Sequence, residues 1–184
     1  MQVGKFVYVM GPSGSGKDTL LSFARVRLTD QPVVFAHRYI TRPVVGAGEI
    51  HVPLTDEEFA LRLERGLFAL HWDSHGLRYG IGREIDHWRA HGLTVVVNGS
   101  RAALTEALVR YPDLCPVLIT ASPETLRRRL EARGRETGVA LKERLASAAT
   151  AAAIVAPNLA CIDNDGRIED GGLRLLELLR GTLA

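Results

Sequence analysis

The sequence is poor in cysteine and nearly neutral in charge. Its two cysteines, Cys115 and Cys161, lie far apart without metal-ligand spacing, which predicts small buried residues in a reducing compartment. The 23 Lys and Arg residues almost balance the 21 Asp and Glu residues, leaving a net charge of +2. A charge this small gives no reason to expect a nucleic-acid or membrane partner.

Long hydrophobic runs and histidine clusters are also missing. No stretch reaches the roughly 18 consecutive apolar residues that predict a membrane-spanning helix. The short apolar run at the start stops at a glycine loop, so we predict no secretory signal. The 6 histidines share no metal-binding spacing. We therefore expect a cytoplasmic protein with one domain, 1–184, whose oligomeric state the sequence leaves open.

What the sequence does contain is an alternation of strand and helix patterns. Apolar runs predict buried strands over 5–10, 33–37, 93–99, 116–121 and 160–164. Helical spacing and end signals predict helices over 19–28, 54–66, 83–92, 101–111, 122–134, 140–155 and 172–181. Thr55, three residues before Glu58, forms a capping pattern, and 67–72 with 77–79 predict a hairpin. The alternation predicts an α/β fold with a mostly parallel sheet flanked by helices.

The segment GPSGSGKDT, residues 11–19, lies between a predicted strand and a predicted helix. Gly11, Gly16 and Lys17 match the G-x-x-x-x-G-K pattern of a phosphate-binding loop. Backbone N–H groups and the positive end of the helix favour phosphate there, and Lys17 would reach the β and γ phosphates. The residues that we expect to bind the nucleotide are Gly11, Pro12, Ser13, Gly14, Ser15, Gly16, Lys17, Asp18 and Thr19.

Asp18 departs from that pattern, which places a serine or threonine hydroxyl at this position for Mg²⁺. A carboxylate oxygen is also a hard ligand for Mg²⁺, so Asp18 is the candidate metal ligand. Thr19 is a poor substitute because one helical step turns it about 100° away. The alternative is that Asp18 only stabilises the first turn of the helix, where acidic residues are favoured.

With this loop, three segments resemble guanylate-kinase-like enzymes: GPSGSGKDTLL, HRYITRP at 37–43, and RRRLEARGRE at 127–136 followed by KERL. AHRYITR, EID-x-W, VNGSRA and the aspartate of the loop resemble ribose 1,5-bisphosphate phosphokinases more closely still. The resemblance spans nearly the whole chain. It implies a P-loop kinase with ATP and Mg²⁺ that converts ribose 1,5-bisphosphate to 5-phosphoribosyl 1-diphosphate in phosphonate degradation. It also implies an acceptor-binding lobe at about 38–80 and an arginine-bearing lid at about 127–144.

The residues that would read a guanine base are absent. Guanylate kinases end an F-L-E stretch with glutamate and place a hydroxyl after a Tyr-Gly pair. Here the first region reads LFAL at 67–70, and Ile81 follows Tyr79-Gly80. A site that loses its hydrogen-bonding partners loses discrimination for the base. This favours an acceptor with phosphates but without a base, such as a sugar bisphosphate.

Residues suited to binding phosphate remain. Arg38 and Arg42 lie in one short segment and can bind phosphate oxygens bidentately, unless they are a solvated surface pair. Asn98 and Arg101 follow a predicted central strand, where open α/β sheets bind ligands, unless they form a polar turn. The resemblance adds further candidates. The predicted acceptor-binding residues are Arg38, Tyr39, Arg42, His51, Tyr79, Asn98 and Arg101.

The lid resemblance assigns the catalytic arginines. Arg129 and Arg133 have the i, i+4 spacing that lets both side chains face one phosphate chain. By resemblance Arg144 joins them with Lys17, Arg135 stands in reserve, and Asn164-Asp165 lies near the adenine. The run could instead be an exposed charged helix. Two other functions remain open: a guanylate kinase, and a non-catalytic guanylate-kinase-like interaction module.

Overall fold

The computed structural model describes residues 2–43, 51–133 and 154–181 of the 184-residue chain. Strands occur at β1 Phe6–Met10, β2 Val33–Phe35, β3 Arg38–Ile40, β4 His51–Pro53, β5 Phe68–Ser74, β6 Leu77–Gly82, β7 Thr94–Asn98, β8 Cys115–Thr120 and β9 Ala160–Asp163. Helices occur at α1 Lys17–Arg25, α2 Asp56–Glu64, α3 Glu84–Ala90, α4 Leu104–Arg110, α5 Pro123–Arg133 and α6 Ile168–Gly181. No helix in these ranges has both the length and the hydropathy that crossing a bilayer requires.

The strands form two sheets. The first has the order β2-β7-β1-β8-β9, with parallel pairing of β2 to β7 and of β8 to β9. The second has the order β4-β3-β6-β5 and mixes one parallel pair with antiparallel pairs. The first sheet confirms the predicted α/β class, because its strands alternate along the chain with helices.

Contacts divide the chain into two units, Met1–Val7 with Gln31–Leu114 and Tyr8–Asp30 with Cys115–Ala184. In unit 1, Val95, Val96 and Val97 of β7 are almost fully buried. The Phe6 and Tyr111 rings meet edge to face with centroids 4.8 Å apart. This arrangement buries apolar surface beside the polar end of Tyr111.

Unit 2 has its own core, formed where α1 and α6 pack together. Leu20 on α1 and Leu175 and Leu179 on α6 have no exposed surface. Gly172 lets α6 approach closely, since a β-carbon there would lie 2.5 Å from the Phe23 ring. The core therefore supports α1, whose first residues, Lys17, Asp18 and Thr19, belong to the predicted phosphate loop.

Most predicted elements are present, with shifted ends. The Thr55 side chain accepts a hydrogen bond from Glu58 N at 3.1 Å, so the predicted cap is confirmed. The predicted hairpin is also confirmed, and its turn uses positive φ at His75 (51°) and Gly76 (71°). Strands β3 and β4 were not predicted, and α6 begins four residues before the predicted 172. The predicted helix over 140–155 lies almost wholly outside the described residues.

Candidate active site

Glycine conformations shape the predicted phosphate loop between β1 and α1. Gly14 and Gly16 have φ of 86° and 88°, in the left-handed region that other residues rarely adopt. A β-carbon on Gly14 would also lie 3.3 Å from Leu130 Cγ on α5, and one on Gly16 would overlap the Asn164 amide. The loop is thus held between α1, α5 and the end of β9 in a form that requires glycine at these positions.

The carbonyl groups of the loop bond to side-chain donors. Lys17 Nζ donates to Gly11 O at 2.7 Å and to Pro12 O at 3.3 Å. Ser15 O accepts from Asn164 Nδ2 at 2.7 Å, and Arg129 Nη1 lies within 3.5 Å of Gly14 O and Ser15 O. Because the acceptors of the loop are engaged with protein donors, an anion at the loop would meet backbone N–H groups and the start of α1.

Asp18 is exposed in the first turn of α1, one residue after Lys17. Among the described residues, no three His, Cys, Asp or Glu side chains converge into a metal-binding cluster. A single carboxylate beside a phosphate loop fits Mg²⁺, which usually takes one or two carboxylates together with substrate phosphates and water. Thr19 is exposed on the same helix.

The segment after β9, predicted to lie near the adenine, bonds to the phosphate loop and to the start of α5. Asn164 is buried, and its side chain enters the phosphate loop at Ser15. Asp165 Oδ1 accepts from Ser122 N at 2.7 Å at the start of α5. This N–H bond is the main cause that lowers the pKa of the Asp165 carboxyl. The Asn164 contact with the loop was not predicted, and no residue spacing in the sequence indicates it.

The predicted lid arginines are only partly described. Arg129 Nη2 donates to the backbone oxygen of Asn164, the residue after β9, at 2.8 Å. Its guanidinium therefore contacts carbonyl oxygens of both the loop and the segment after β9. Arg133 is the last residue of α5, and its side chain lies outside the described atoms. Arg135 and Arg144 lie outside the described residues.

In unit 1, three predicted acceptor residues share one face of the second sheet. Arg38 pairs with His51 across β3 and β4, and Ile40 pairs with Tyr79 across β3 and β6. The Arg38 guanidinium lies 5.6 Å from the centre of the Tyr79 ring. That ring stacks on Trp72 at 5.5 Å with an angle of 2° between the planes. The stack fixes Tyr79 and provides a cation–π contact for Arg38.

Two neighbours complete this face. His51 Nε2 lies 3.0 Å from Arg42 O, so the histidine contacts the backbone of a second predicted phosphate-binding arginine. Trp72 was not predicted, although its position mirrors that of Tyr79 across the His75-Gly76 turn. A two-residue hairpin turn places residues 72 and 79 opposite one another, so this pairing is readable from the sequence.

Tyr39 lies on the opposite face of β3, because successive side chains of a strand alternate. Its hydroxyl donates to Glu84 Oε1 at 3.3 Å, and its ring lies 5.8 Å from Phe68. Burial, followed by the Glu84 charge, raises the pKa of the Tyr39 phenol. Tyr39 and Glu84 border a cavity of about 260 Å³ with Arg62 and Arg83. The structure does not bring Tyr39 together with Arg38, His51 and Tyr79.

Asn98 and Arg101 lie at the carboxyl end of β7, as the strand pattern predicted. Asn98 is buried, and burial lowers the pKa of the half-buried Arg101 guanidinium. In parallel sheets this end of a strand is where ligands bind.

The two positions that would read a base are apolar and paired. Leu70 occupies the end of the Phe-Ala-Leu stretch that resembles F-L-E, and it pairs directly with Ile81 across β5 and β6. Both side chains are 0% exposed. They therefore offer no hydrogen-bonding group to a purine and belong to the core of the sheet.

Comparisons with known proteins agree on the class of enzyme. The chain is 55% identical over 181 residues to the ribose 1,5-bisphosphate phosphokinase PhnN of Desulfomicrobium baculatum, covering 98% of this chain and 96% of that protein. It is 56% identical to the protein of the same name from Thiobacillus denitrificans, covering 97% and 94%. The protein of that name from Burkholderia pseudomallei is 51% identical, with 98% of each chain covered. No protein-family model matches the chain.

Solved structures give the fold. A guanylate kinase from Anaplasma phagocytophilum matches with a TM-score of 0.75 and 20% identity, covering 98% of this chain and 86% of that one. A sugar kinase from Janibacter matches with a TM-score of 0.52 and 20% identity, covering 96% and 95%. At this identity the likeness establishes a guanylate-kinase-like fold and says nothing of the acceptor.

Proposed function

The chain belongs to the family of ribose 1,5-bisphosphate phosphokinases, and we propose that it transfers the γ-phosphoryl group of ATP to the 1-phosphate of ribose 1,5-bisphosphate. The bond between the γ phosphorus and the β–γ bridging oxygen breaks, and a bond to an oxygen of the 1-phosphate forms. The products are 5-phosphoribosyl 1-diphosphate and ADP. We place the reaction in cytoplasmic phosphonate degradation, as the family resemblance implies.

The observation that favours a sugar bisphosphate over a nucleoside monophosphate is the buried Leu70–Ile81 pair. A guanine would lose hydrogen bonds to water on entering this site without gaining protein partners there. The Arg38, His51 and Tyr79 face keeps groups that suit phosphate oxygens. The same argument disfavours guanylate as the acceptor.

The phosphate loop supports a nucleotide donor. We assign the donor triphosphate to the backbone of residues 11–18 and to Lys17, and we assign Asp18 as the protein ligand of Mg²⁺. The metal, when bound, neutralises phosphate charge that would otherwise repel the acceptor. The proposed acceptor is already anionic, so it needs no carboxylate to remove a proton. Lys17, Arg133 and Arg144 are proposed to offset the remaining repulsion.

Phosphorus NMR of the product tests the proposal. ATP, Mg²⁺ and ribose 1,5-bisphosphate are expected to give the paired signals of a diphosphate on C1, with loss of the 1-phosphate signal. Ribose 5-phosphate is the matched control, because it lacks the accepting phosphate and should give no such signals. A higher kcat/KM with guanylate than with ribose 1,5-bisphosphate, measured by ADP release, would contradict the proposed acceptor.

A further inference from the structure

The carbonyl oxygens of a phosphate loop must point away from the phosphate, or they would repel it. Turned toward the protein, they need donors, because a buried carbonyl without a partner is costly. In this chain the carbonyl oxygen of Ser15 accepts a hydrogen bond from Asn164 Nδ2 at 2.7 Å and lies 3.4 Å from Arg129 Nη1. The conformation of the loop thus depends on two side chains that come from other elements.

Asn164 is enclosed on both sides by glycine. Its side-chain nitrogen lies against Gly16, where any β-carbon would overlap it. Its Oδ1 lies against Gly171 in the first turn of α6, where a β-carbon would be only 2.7 Å away. The residue is 2% exposed, which leaves the amide a single arrangement. The close carbonyl of Ser15 requires that the amide nitrogen, not the oxygen, face the loop.

Arg129 holds the same assembly from α5. Its Nη2 donates to the backbone carbonyl of Asn164 at 2.8 Å, while Nη1 approaches Gly14 O and Ser15 O. The guanidinium therefore links the residue that follows β9 to the phosphate loop. Its rigid fork suits this task, because one planar group can bond to carbonyls in two segments.

We propose that Asn164 is a positioning residue for the donor site. Its side-chain amide, together with the Arg129 guanidinium, holds the phosphate loop in the conformation that binds a triphosphate. This inference rests on the proposed function and adds a residue that acts through the loop without touching the nucleotide. Without the amide, the loop would populate other conformations, and nucleotide affinity would fall by the fraction of binding-competent loop.

Asn164→Asp keeps the shape of the side chain but replaces the donor with an acceptor and adds a negative charge, so the neutral Asn164→Ala variant must accompany it. We expect the Kd of Mg·ATP, measured by calorimetry without acceptor, to rise about tenfold, the effect of one buried acceptor left unpaired. The KM for ribose 1,5-bisphosphate and the kcat at saturating ATP should stay within about threefold. Asn164→Ala should show the same pattern, and it decides the matter if the aspartate variant does not fold.

Inorganic triphosphate separates a role in the loop from contact with the adenine. Because the amide acts on the loop, its loss should weaken triphosphate and ATP by the same factor. The matched control is Asn158→Asp, the same change at an exposed turn residue with φ of 54°, which should bind both ligands like the wild type.

Three outcomes would overturn the inference: unchanged ATP affinity in both Asn164 variants, a loss confined to ATP with triphosphate binding intact, or a loss of thermal stability alone. Failure of the wild-type protein to bind either ligand would instead contradict the proposed function.

Discussion

At the scale of single residues, the guanidinium of Arg129 joins the predicted phosphate loop to the segment that follows β9. The i, i+4 pattern predicts that Arg129 faces a phosphate chain, and the structure places its guanidinium against backbone carbonyls of the predicted phosphate loop and of Asn164. No residue pattern in the sequence indicates which side chains bond to the carbonyl groups of the loop. The prediction of position therefore came from the helix period, whereas the partner depends on contacts among segments far apart in the chain.

Tyr39 illustrates a different gap. It was predicted, with Arg38, to bind the acceptor, yet β3 directs neighbouring side chains to opposite faces. Its hydroxyl donates to Glu84 beside the cavity that both residues border, and burial and the Glu84 charge raise the pKa of its phenol. Recognition of 38–40 as a strand would have separated the two residues.

The first prediction concerns the metal dependence of the reaction, because Asp18 occupies the position where the phosphate-loop pattern has a hydroxyl residue. If its carboxylate binds Mg²⁺, Asp18→Ala should raise the Mg²⁺ concentration for half-maximal rate by about tenfold or more at saturating ATP. Asp18→Ser, which restores a hydroxyl, should recover part of the loss. The measurement is the initial rate as a function of free Mg²⁺.

The matched control for this prediction is Asp170→Ala, which removes an acidic residue from the first turn of α6. It should change stability by about 0.3–1 kcal/mol through the helix dipole and leave the Mg²⁺ dependence alone. Identical Mg²⁺ curves for Asp18→Ala and the wild type would leave Asp18 with only this helix-stabilising role.

At the scale of elements, the sequence predicted long buried strands and capped helices well. Strands β3 and β4 were not predicted because each has only three residues, too few to show an alternation of apolar and polar side chains. Their polar residues also leave few apolar residues, such as Ile40, to indicate a strand. The start of α6 was missed because Gly171 and Gly172 resemble a helix stop. Tertiary contacts explain these glycines: one adjoins Asn164, and the other adjoins Phe23.

The junction of β9 and α5 provides a pH-dependent prediction. Asp165 accepts from Ser122 N at 2.7 Å, and this bond lowers the carboxyl pKa in the folded state. A depressed folded pKa contributes stability above the unfolded value of about 4, and this contribution is lost as pH falls through the folded pKa. Asp165→Ala should therefore cost about 0.5–1 kcal/mol at pH 7, after solvent screening, and less at pH 3.

Urea unfolding of both proteins at pH 7, 4 and 3 measures this difference. Asp30→Ala removes an exposed aspartate from the turn after α1 and serves as the control, with no expected change. A cost for Asp165→Ala that stays constant from pH 7 to pH 3 would show that the carboxylate charge is irrelevant to the junction.

Considered as a whole molecule, the chain must bind two polyanions with a net charge of only +2. We therefore expect the attraction to come from local groups: the loop with Lys17 in unit 2, and Arg38, Arg42 and Arg101 in unit 1. The sequence predicts these residues because their types and motifs suit phosphate binding. It could not reveal how the contacts divide the chain, because residues far apart in sequence join unit 1 through strand pairing, such as β2 with β7 and β3 with β6.

This division yields the last prediction, which concerns amide hydrogen exchange across the whole chain. A non-hydrolysable ATP analogue with Mg²⁺ should slow exchange about tenfold or more at residues 11–18 of unit 2, because bound ligand opposes local opening. Ribose 1,5-bisphosphate alone should instead protect 38–42, 79–81 and 98–101 of unit 1. Guanylate at the same concentration is the control and should protect these segments less, since Leu70 and Ile81 offer its base no partner. Protection of unit 1 alone by the ATP analogue would refute the assignment of donor and acceptor to separate sets of residues.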